Sequence, residues 1–386
     1  MKLLSRPQFR SAIGHVLADH PVCALLGPRQ CGKTTLAKQY AADRPATYID
    51  LESTAGRTLL AEPEFALSSL TGLVVIDEIQ LMPELFTILR PLADRRPTRT
   101  RFLILGSADP ALIRGVSESL AGRIGFVDLT GFNVREVGAP KQRRLWVRGG
   151  FPHSFLARTD AASSARRADL IRTMLERELP QLSPRIPAET LRRFWMMLAH
   201  YHAQTWNGAE LARALDSSEP TVHRYLDLLT GAFLVRQLQP WFVNIAKRQT
   251  RAPKVYLRDS GLLHALLGVH NWRDLLGHPK FGASWEGFAL EQILSVTGTR
   301  FAYFWGTHAG AELDLLLRHG GKHYGVEFKA GDAPTMTKSL HIALNDLQLE
   351  RAWIIYPGVH TYRVHEKVEA TSLAEFLKTA AKMRFA

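Results

Sequence analysis

Gly27-Pro28-Arg29-Gln30-Cys31-Gly32-Lys33-Thr34-Thr35 follows directly on the apolar run Val22-Cys23-Ala24-Leu25-Leu26 and leads into Leu36-Ala37-Lys38-Gln39-Tyr40, which reads as a helix. The spacing is G-x-x-x-x-G-K-[ST], a loop whose backbone wraps phosphates. Glycines let the chain curl so that successive N–H groups face the anion, and the following helix adds its positive end. Lys33 would reach the β- and γ-phosphates and the Thr34 hydroxyl would ligate Mg²⁺. Gly27, Arg29, Gln30, Cys31, Gly32 and Thr35 would complete the cradle. A strand, loop and helix in this order leave little room for an accidental match.

Leu73-Val74-Val75-Ile76-Asp77-Glu78 is an apolar run ending in two carboxylates, as a buried parallel strand ending at a ligand-binding edge should look. Asp77 would hold Mg²⁺ through its water shell, and Glu78 would polarise the attacking water as general base. A strand ending in Asp-Glu says little alone, since strand ends carry solvated charges. Behind a phosphate loop it supplies the second half of a triphosphate site. The expectation is a chain that hydrolyses ATP or a similar triphosphate, or descends from one that did.

The bulk composition adds bounds. A length of 386 residues suggests two or three domains, each with its own core. Lys plus Arg number 49 against 36 Asp plus Glu, a net charge of +13. That excess favours an anionic polymer as partner, because neutralising phosphates releases counterions; a merely solvated basic surface is the plain alternative. Cys23 and Cys31 are the two cysteines, so no disulfide framework is expected. Met1 to Pro7 lacks the apolar core of a signal peptide, and no apolar run approaches a membrane span. A soluble cytoplasmic protein is expected.

Ala46–Leu51, Leu73–Ile76, Arg101–Gly106 and Gly125–Leu129 read as short strands with helices between them, which argues for an α/β domain with a parallel sheet. An extra strand lies between the phosphate-loop strand and the Asp-Glu strand. Ser107 ends one run, where it would sense the γ-phosphate or simply serve as a turn residue.

Gly32-Lys33-Thr34, Asp77-Glu78, Leu105-Gly106-Ser107 and Leu120-Ala121-Gly122-Arg123 together resemble the AAA-superfamily ATPases. In particular they are similar to a widespread prokaryotic group whose C-terminal domain has historically had no assigned function. Gly149-Gly150-Phe151-Pro152 and Tyr256-Leu257-Arg258-Asp259-Ser260-Gly261 extend the resemblance over most of the chain. It implies that Arg123 is an arginine finger reaching the γ-phosphate of a neighbouring subunit, with Arg114 as rival and a plain surface arginine as the alternative. It also implies a ring-like homo-oligomer such as a hexamer.

Four domains are expected: an ATPase core over 1–140, a helical lid and connector over 141–190, a winged helix-turn-helix over 191–258, and an α/β restriction-endonuclease-like domain over 259–386. The lid segment is rich in arginine and broken by Pro180, Pro184 and Pro187, with some arginines facing Glu176 and Glu178. In the third segment Gly208–Leu215 is one helix and Thr221–Leu229 a second, with Val222, Tyr225, Leu226 and Leu229 as its core stripe. Ser217 or Ser218 would cap the second helix, and Pro220 suits its first turn. Thr221, His223 and Arg224 would then face outward on a recognition helix. Phe233-Leu234-Val235 and Lys254-Val255-Tyr256 would form a wing, with Lys247, Arg248 and Arg251 at its basic tip. A structural spacer is the alternative.

Near the C-terminus Ala311–Arg318 alternates, with Leu313, Leu315 and Leu317 on one face and Glu312 and Asp314 on the other. His319-Gly320-Gly321-Lys322 signals a two-residue hairpin. The register then sets Asp314 opposite Glu327 and Glu312 opposite Lys329. Like charges directly opposed are destabilising, so such a pair invites a divalent cation. The pattern resembles the D…E-x-K site of restriction-endonuclease-like nucleases, in which carboxylates bind Mg²⁺ and the lysine assists the attacking water. Glu286, on a helix face with Leu290 and Ile293, matches the helix glutamate of that fold. A cross-strand salt bridge, or an inherited fold without cleavage, are the alternatives.

The leading expectation is an ATPase, with ATP and Mg²⁺, that binds DNA and moves along or remodels it. An ATP-gated nuclease and a nucleotide-switched scaffold for a protein partner are the rivals.

Overall fold

A computed structural model describes residues 4–95, 100–107, 119–183, 186–242 and 251–383. It divides into two compact units, 1–131 with 231–233, and 132–230 with 234–386. Arg114, Lys247 and Arg248 lie outside the described residues.

The first unit is built on five parallel strands: β1 (Val22–Gly27), β2 (Ala46–Asp50), β3 (Gly72–Asp77), β4 (Thr100–Ser107) and β5 (Ile124–Asp128), in the order β2-β3-β4-β1-β5. β4 is inserted between β1 and β3, so the phosphate loop and the Asp-Glu pair leave the same edge of the sheet with one strand between them. Helices α1 (Pro7–Asp19), α2 (Lys33–Ala41), α3 (Thr54–Leu59), α4 (Pro63–Ser68) and α5 (Leu85–Asp94) cover the sheet. Val22, Ala24, Leu26, Val74, Ile76, Phe102 and Ile104 join the α5 residues Leu85, Phe86 and Leu89 in one core. The alternate residues Cys23, Leu25, Val75 and Leu103 are equally buried. Both faces being covered, each strand reads as an unbroken apolar run.

The second unit opens with helices α6 (Gln142–Arg148), α7 (Asp160–Thr173) and α8 (Ala188–His200). Pro180 does not break the chain as expected: α7 continues through a π-helical segment, Met174–Glu178, into the helical turn Leu179–Leu182. A π-segment takes in the residue that the proline ring displaces from regular α geometry. Next come α9 (Gly208–Ala214) and α10 (Glu219–Gly231), with Val222, Tyr225, Leu226 and Leu229 all buried. A small antiparallel sheet joins β6 (Gln204–Thr205), β7 (Val235–Leu238) and β8 (Lys254–Leu257) in the order β6-β8-β7. β7 starts at Val235 rather than Phe233, because Phe233 has φ 60° and cannot extend.

After α11 (Ser260–Leu266) and α12 (Phe281–Thr297), a six-stranded mixed sheet forms from β9 (Ala302–Gly306), β10 (Glu312–His319), β11 (Lys322–Phe328), β12 (Arg351–Tyr356), β13 (Tyr362–His365) and β14 (Val368–Ser372), ordered β13-β14-β12-β11-β10-β9. Helices α13 (Lys338–Asp346) and α14 (Leu373–Met383) complete the chain. His319 pairs with Lys322 across Gly320 (φ 56°) and Gly321 (φ 77°), the left-handed pair a tight hairpin requires. One expectation fails here. The β9–β10 register shifts between Leu313 and Leu316, and those two leucines, not Leu313 with Leu315, share the core beneath α13. The irregularity falls between Leu313 and Leu316, and all of Leu313, Leu315, Leu316 and Leu317 are buried.

Candidate nucleotide site and a second acidic centre

The phosphate loop leaves β1 at Gly27, where a Cβ would lie 2.2 Å from the Leu129 carbonyl oxygen. Gln30 (φ 61°) and Gly32 (φ 101°) reverse the backbone into α2. Arg6, almost fully buried, donates to the carbonyls of Cys31 (3.2 Å), Thr130 (3.0 Å) and Gly131 (2.9 Å), bracing the loop from behind. That brace had no sequence signal beyond an arginine near the start. Burial raises the Cys31 thiol pKa, against the pull of Lys33 and Arg6, so this cysteine is an inert part of the loop. Lys33 Nζ donates to the Gly27 and Pro28 carbonyls, at 2.9 and 3.1 Å. Arg29 pairs with Glu52 at 2.5 Å, and Thr35 is exposed on α2.

Thr34 Oγ1 donates to Asp77 Oδ2 at 2.7 Å, and the Tyr48 hydroxyl on β2 donates to the same oxygen. Glu78 stands next in a left-handed conformation (φ 56°, ψ 47°), its carboxylate taking a hydrogen bond from Gln80. Lys33, Thr34, Asp77 and Glu78 are therefore brought to one edge. Thr34 and Asp77 are hard oxygen donors already within one hydrogen bond of each other, a set that fits Mg²⁺. The Ser107 backbone pairs with Gly27 in the sheet.

Arg123 is not at this edge. Its carbonyl accepts from Val22 N–H at the opposite end of β1, and its guanidinium grips Asp94 through two bonds of 2.6 and 2.8 Å. Five residues of extended strand, about 17 Å, separate that end from the loop.

In the second unit, Asn207 caps α9, and Thr221, His223 and Arg224 lie on the α10 face away from its core stripe. Thr221 Oγ1 accepts from Arg224 at 3.2 Å, and His223 Nε2 accepts from Trp206 Nε1 at 3.2 Å. Arg251 is exposed.

The C-terminal carboxylates do gather, but around a residue that sequence reasoning missed. Lys254, 4% exposed, places Nζ 3.1 Å from Glu286 Oε1, 3.4 Å from Asp314 Oδ1 and against Glu312. Glu312 thus meets Lys254 rather than Lys329. Lys329 turns instead to Glu327, two residues back on its own strand, at 2.8 Å. Tyr256 donates to Glu286 at 2.7 Å, and Phe328 N–H donates to Asp314 Oδ2 at 2.9 Å. Burial and then Asp314 raise Glu286 to about 7 and Glu327 to about 8. Burial opposes the Lys254 ammonium, but Tyr256, Glu286, Asp314 and Glu312 outweigh it and hold its pKa well above the usual lysine range.

The motifs Gly149–Pro152 and Arg258–Gly261 pack on each other. Asp259 caps α11 at Leu262 N–H (2.9 Å) and also accepts from Gly150 N–H (2.7 Å). A Cβ on Gly149 would lie 2.2 Å from that carboxylate. Their role in this structure is to join α6 to α11.

Residues 19–138 match a family model described as an AAA domain, 139–273 one described as a domain of unknown function (DUF8612), and 281–376 another (DUF4143). Two relatives, uncharacterized protein Rv2008c of Mycobacterium tuberculosis and uncharacterized protein Mb2031c of Mycobacterium bovis, are each 49% identical over 379 residues, covering 98% of this chain and 86% of theirs. The chain belongs to the family of these mycobacterial proteins. Among solved structures, the Walker-type ATPase PABY2304 of Pyrococcus abyssi is similar over 69% of this chain and 96% of its own, at 17% identity and TM-score 0.46. AMPPCP-bound DnaA from Aquifex aeolicus is similar over 58% of this chain and 86% of its own, at 15% identity and TM-score 0.31.

The AAA match and the five-stranded parallel sheet make the N-terminal unit a P-loop ATPase fold of the AAA superfamily, which supports ATPase activity. Among the described residues no helix is long and apolar enough to cross a membrane.

Proposed function

We propose that this chain is an AAA-type ATPase that binds DNA and moves along or remodels it as a ring-like homo-oligomer. The observation that carries the reading is the convergence of Lys33, Thr34, Asp77 and Glu78 at one sheet edge. Lys33 would exchange two loop carbonyls for the β- and γ-phosphates of ATP, and Glu78 would take the proton of the attacking water. Thr34 and Asp77 would hold Mg²⁺, which supplies charge neutralisation at the phosphates. The position of Arg123, too distant to serve its own loop, supports a role across a subunit boundary.

The net charge of +13 supports DNA as partner. So do α9 and α10, read as a helix-turn-helix with β7 and β8 as its wing and with Thr221, His223, Arg224 and Arg251 outward. Lys247 and Arg248 extend that basic surface in sequence. We place domain borders near 140, 190 and 258 and read 259–386 as a nuclease-like fold serving as grip. Lys33→Ala and Glu78→Gln test the ATP site: both lose turnover, and undiminished hydrolysis in both would sink it. Duplex or forked DNA at low salt tests the motor: if hydrolysis is not stimulated and nothing binds, a nucleotide-switched scaffold for a protein partner replaces it.

A further inference from the structure

The acidic centre of the second unit has the carboxylates of a metal-dependent nuclease and the wrong donor geometry for one. Glu286, Glu312 and Asp314 arrive from α12 and β10, and all three close on a single point. That point is occupied by an ammonium group of this chain. A divalent cation there would have to displace Lys254, which is buried and reached by three carboxylates at once. Glu327 Oε2 is buried with no hydrogen-bond partner among the described residues, but its other oxygen is held by the Lys329 ammonium, so a cation drawn there would stand between two ammonium groups, Lys254 and Lys329.

A neighbouring cluster indicates what the arrangement does. Lys254, Tyr256 and Arg258 alternate along β8 and its end, so they share a face. Lys254 and Tyr256 take Glu286, while Arg258 and Arg236 of β7 take Glu291, which is buried on the same helix. Burial pushes Glu291 up, but the two guanidiniums outweigh it and hold its pKa low. The β7–β8 ribbon is thus tied to α12 twice, at positions about 7.5 Å apart along the helix, once by a lysine among carboxylates and once by a carboxylate between arginines.

We propose that Lys254 is the resident cation of this acidic centre, replacing a divalent metal, and that the centre is a staple between the β7–β8 ribbon and the C-terminal sheet rather than a phosphodiesterase site. It is independent of the ATPase reading, whose test uses Lys33 and Glu78.

The test is Mn²⁺ binding to the nucleotide-free full chain, followed by electron paramagnetic resonance of the free ion. In the wild type, Asp314→Asn leaves Mn²⁺ uptake unchanged, and whatever uptake exists disappears in Asp77→Asn. Lys254→Met frees three carboxylates and gains a Mn²⁺ site about tenfold tighter than any in the wild type. Adding Asp314→Asn to Lys254→Met removes it again. Wild-type Mn²⁺ uptake that Asp314→Asn abolishes would overturn the proposal, as would a folded Lys254→Met protein that gains no site. If Lys254→Met does not fold, the wild type against Asp314→Asn decides the matter alone.

Discussion

Two lysines in this molecule are almost fully buried, and their partners set them apart. Lys33 rests on the carbonyls of its own loop at 2.9 and 3.1 Å, while the carboxylate nearby, Asp77, is taken up by Thr34 and Tyr48. Nothing anionic holds Lys33 in these contacts, so an incoming phosphate competes only with neutral oxygens, and charge-assisted bonds are about twice as strong. Lys254 is held by three carboxylates and shut from water. The first site is made for an exchangeable anion. The second is already complete.

Breaking each centre should therefore fail differently. Glu78→Gln keeps nucleotide binding but cuts turnover by about 10²–10⁴-fold, the usual share of a general base, as single-turnover ATP hydrolysis would measure. Its melting temperature should barely move. Lys254→Met should leave the ATP site chemically intact but strand three carboxylates, costing about 3–5 kcal/mol in urea unfolding of the second unit. If Lys254→Met costs under 1 kcal/mol, the comparison between the two centres collapses, since such a value belongs to an exposed pair.

The two centres also differed in how far the sequence revealed them. The nucleotide site was legible because Gly27–Thr35 is contiguous and Asp77-Glu78 ends an unmistakably apolar strand; the parallel sheet then places them at the same edge. The tight turn at Gly320-Gly321 and the core stripe of α10 were legible for the same reason, being local. Lys254 was not, because its partners lie 32 to 60 positions away on a helix and another strand. The one available signal was the alternation Lys254-x-Tyr256-x-Arg258, three polar groups on one face of a strand whose other positions, Val255 and Leu257, are apolar. The face exchange at Leu313 and Leu316 escaped because a bulge resets a two-residue period without leaving a glycine or proline to mark it.

Acid sharpens the contrast within the second unit. His202 and His264 are wholly buried, and burial lowers both to about 3. His202 Nδ1 accepts from Leu257 N–H at 3.0 Å, and His264 bridges the Val147 carbonyl and Ser284 Oγ. Their folded pKa lies below the unfolded one, so their share of stability is complete above about pH 6.5 and is lost as pH falls. At pH 5 the pair withdraws roughly 4 kcal/mol. Glu286 and Glu327, raised to about 7 and 8, act in the opposite sense: their share is present at low pH and is lost as pH rises through those values. Between pH 5 and 6.5 the two effects oppose each other and flatten the wild-type profile, while between 6.5 and 8 only the carboxylates act. Glu327→Gln removes part of it, so urea midpoints at pH 5, 6.5 and 8 should show a steeper loss on acidification than in the wild type. An unchanged slope would mean that Glu327 is ionised throughout.

The smallest effects come from the two tyrosines, and they divide the centres most cleanly. Tyr48 donates to the Asp77 oxygen that also accepts from Thr34. If the Thr34 hydroxyl served a bound Mg²⁺, Tyr48 would remain to hold the Asp77 carboxylate in place. Tyr48→Phe removes one hydrogen bond to a charged group, about 1.5 kcal/mol, which corresponds to roughly a tenfold rise in the Mg²⁺ concentration giving half-maximal ATP hydrolysis. Tyr48 is only half-buried, so water can take the place of its hydroxyl and the melting temperature of the first unit should change little, whereas Tyr256 is fully buried. Tyr256 donates to Glu286 at 2.7 Å beside Lys254, wholly inside the second unit. Tyr256→Phe should lower that unit's stability by a similar amount and leave the Mg²⁺ dependence of hydrolysis where it was. If instead both substitutions shift only stability, Tyr48 is packing rather than a positioning residue for Asp77. If both shift the Mg²⁺ dependence, the second centre is coupled to the nucleotide cycle through Glu286, and Lys254 becomes the group whose movement should be followed with and without ATP.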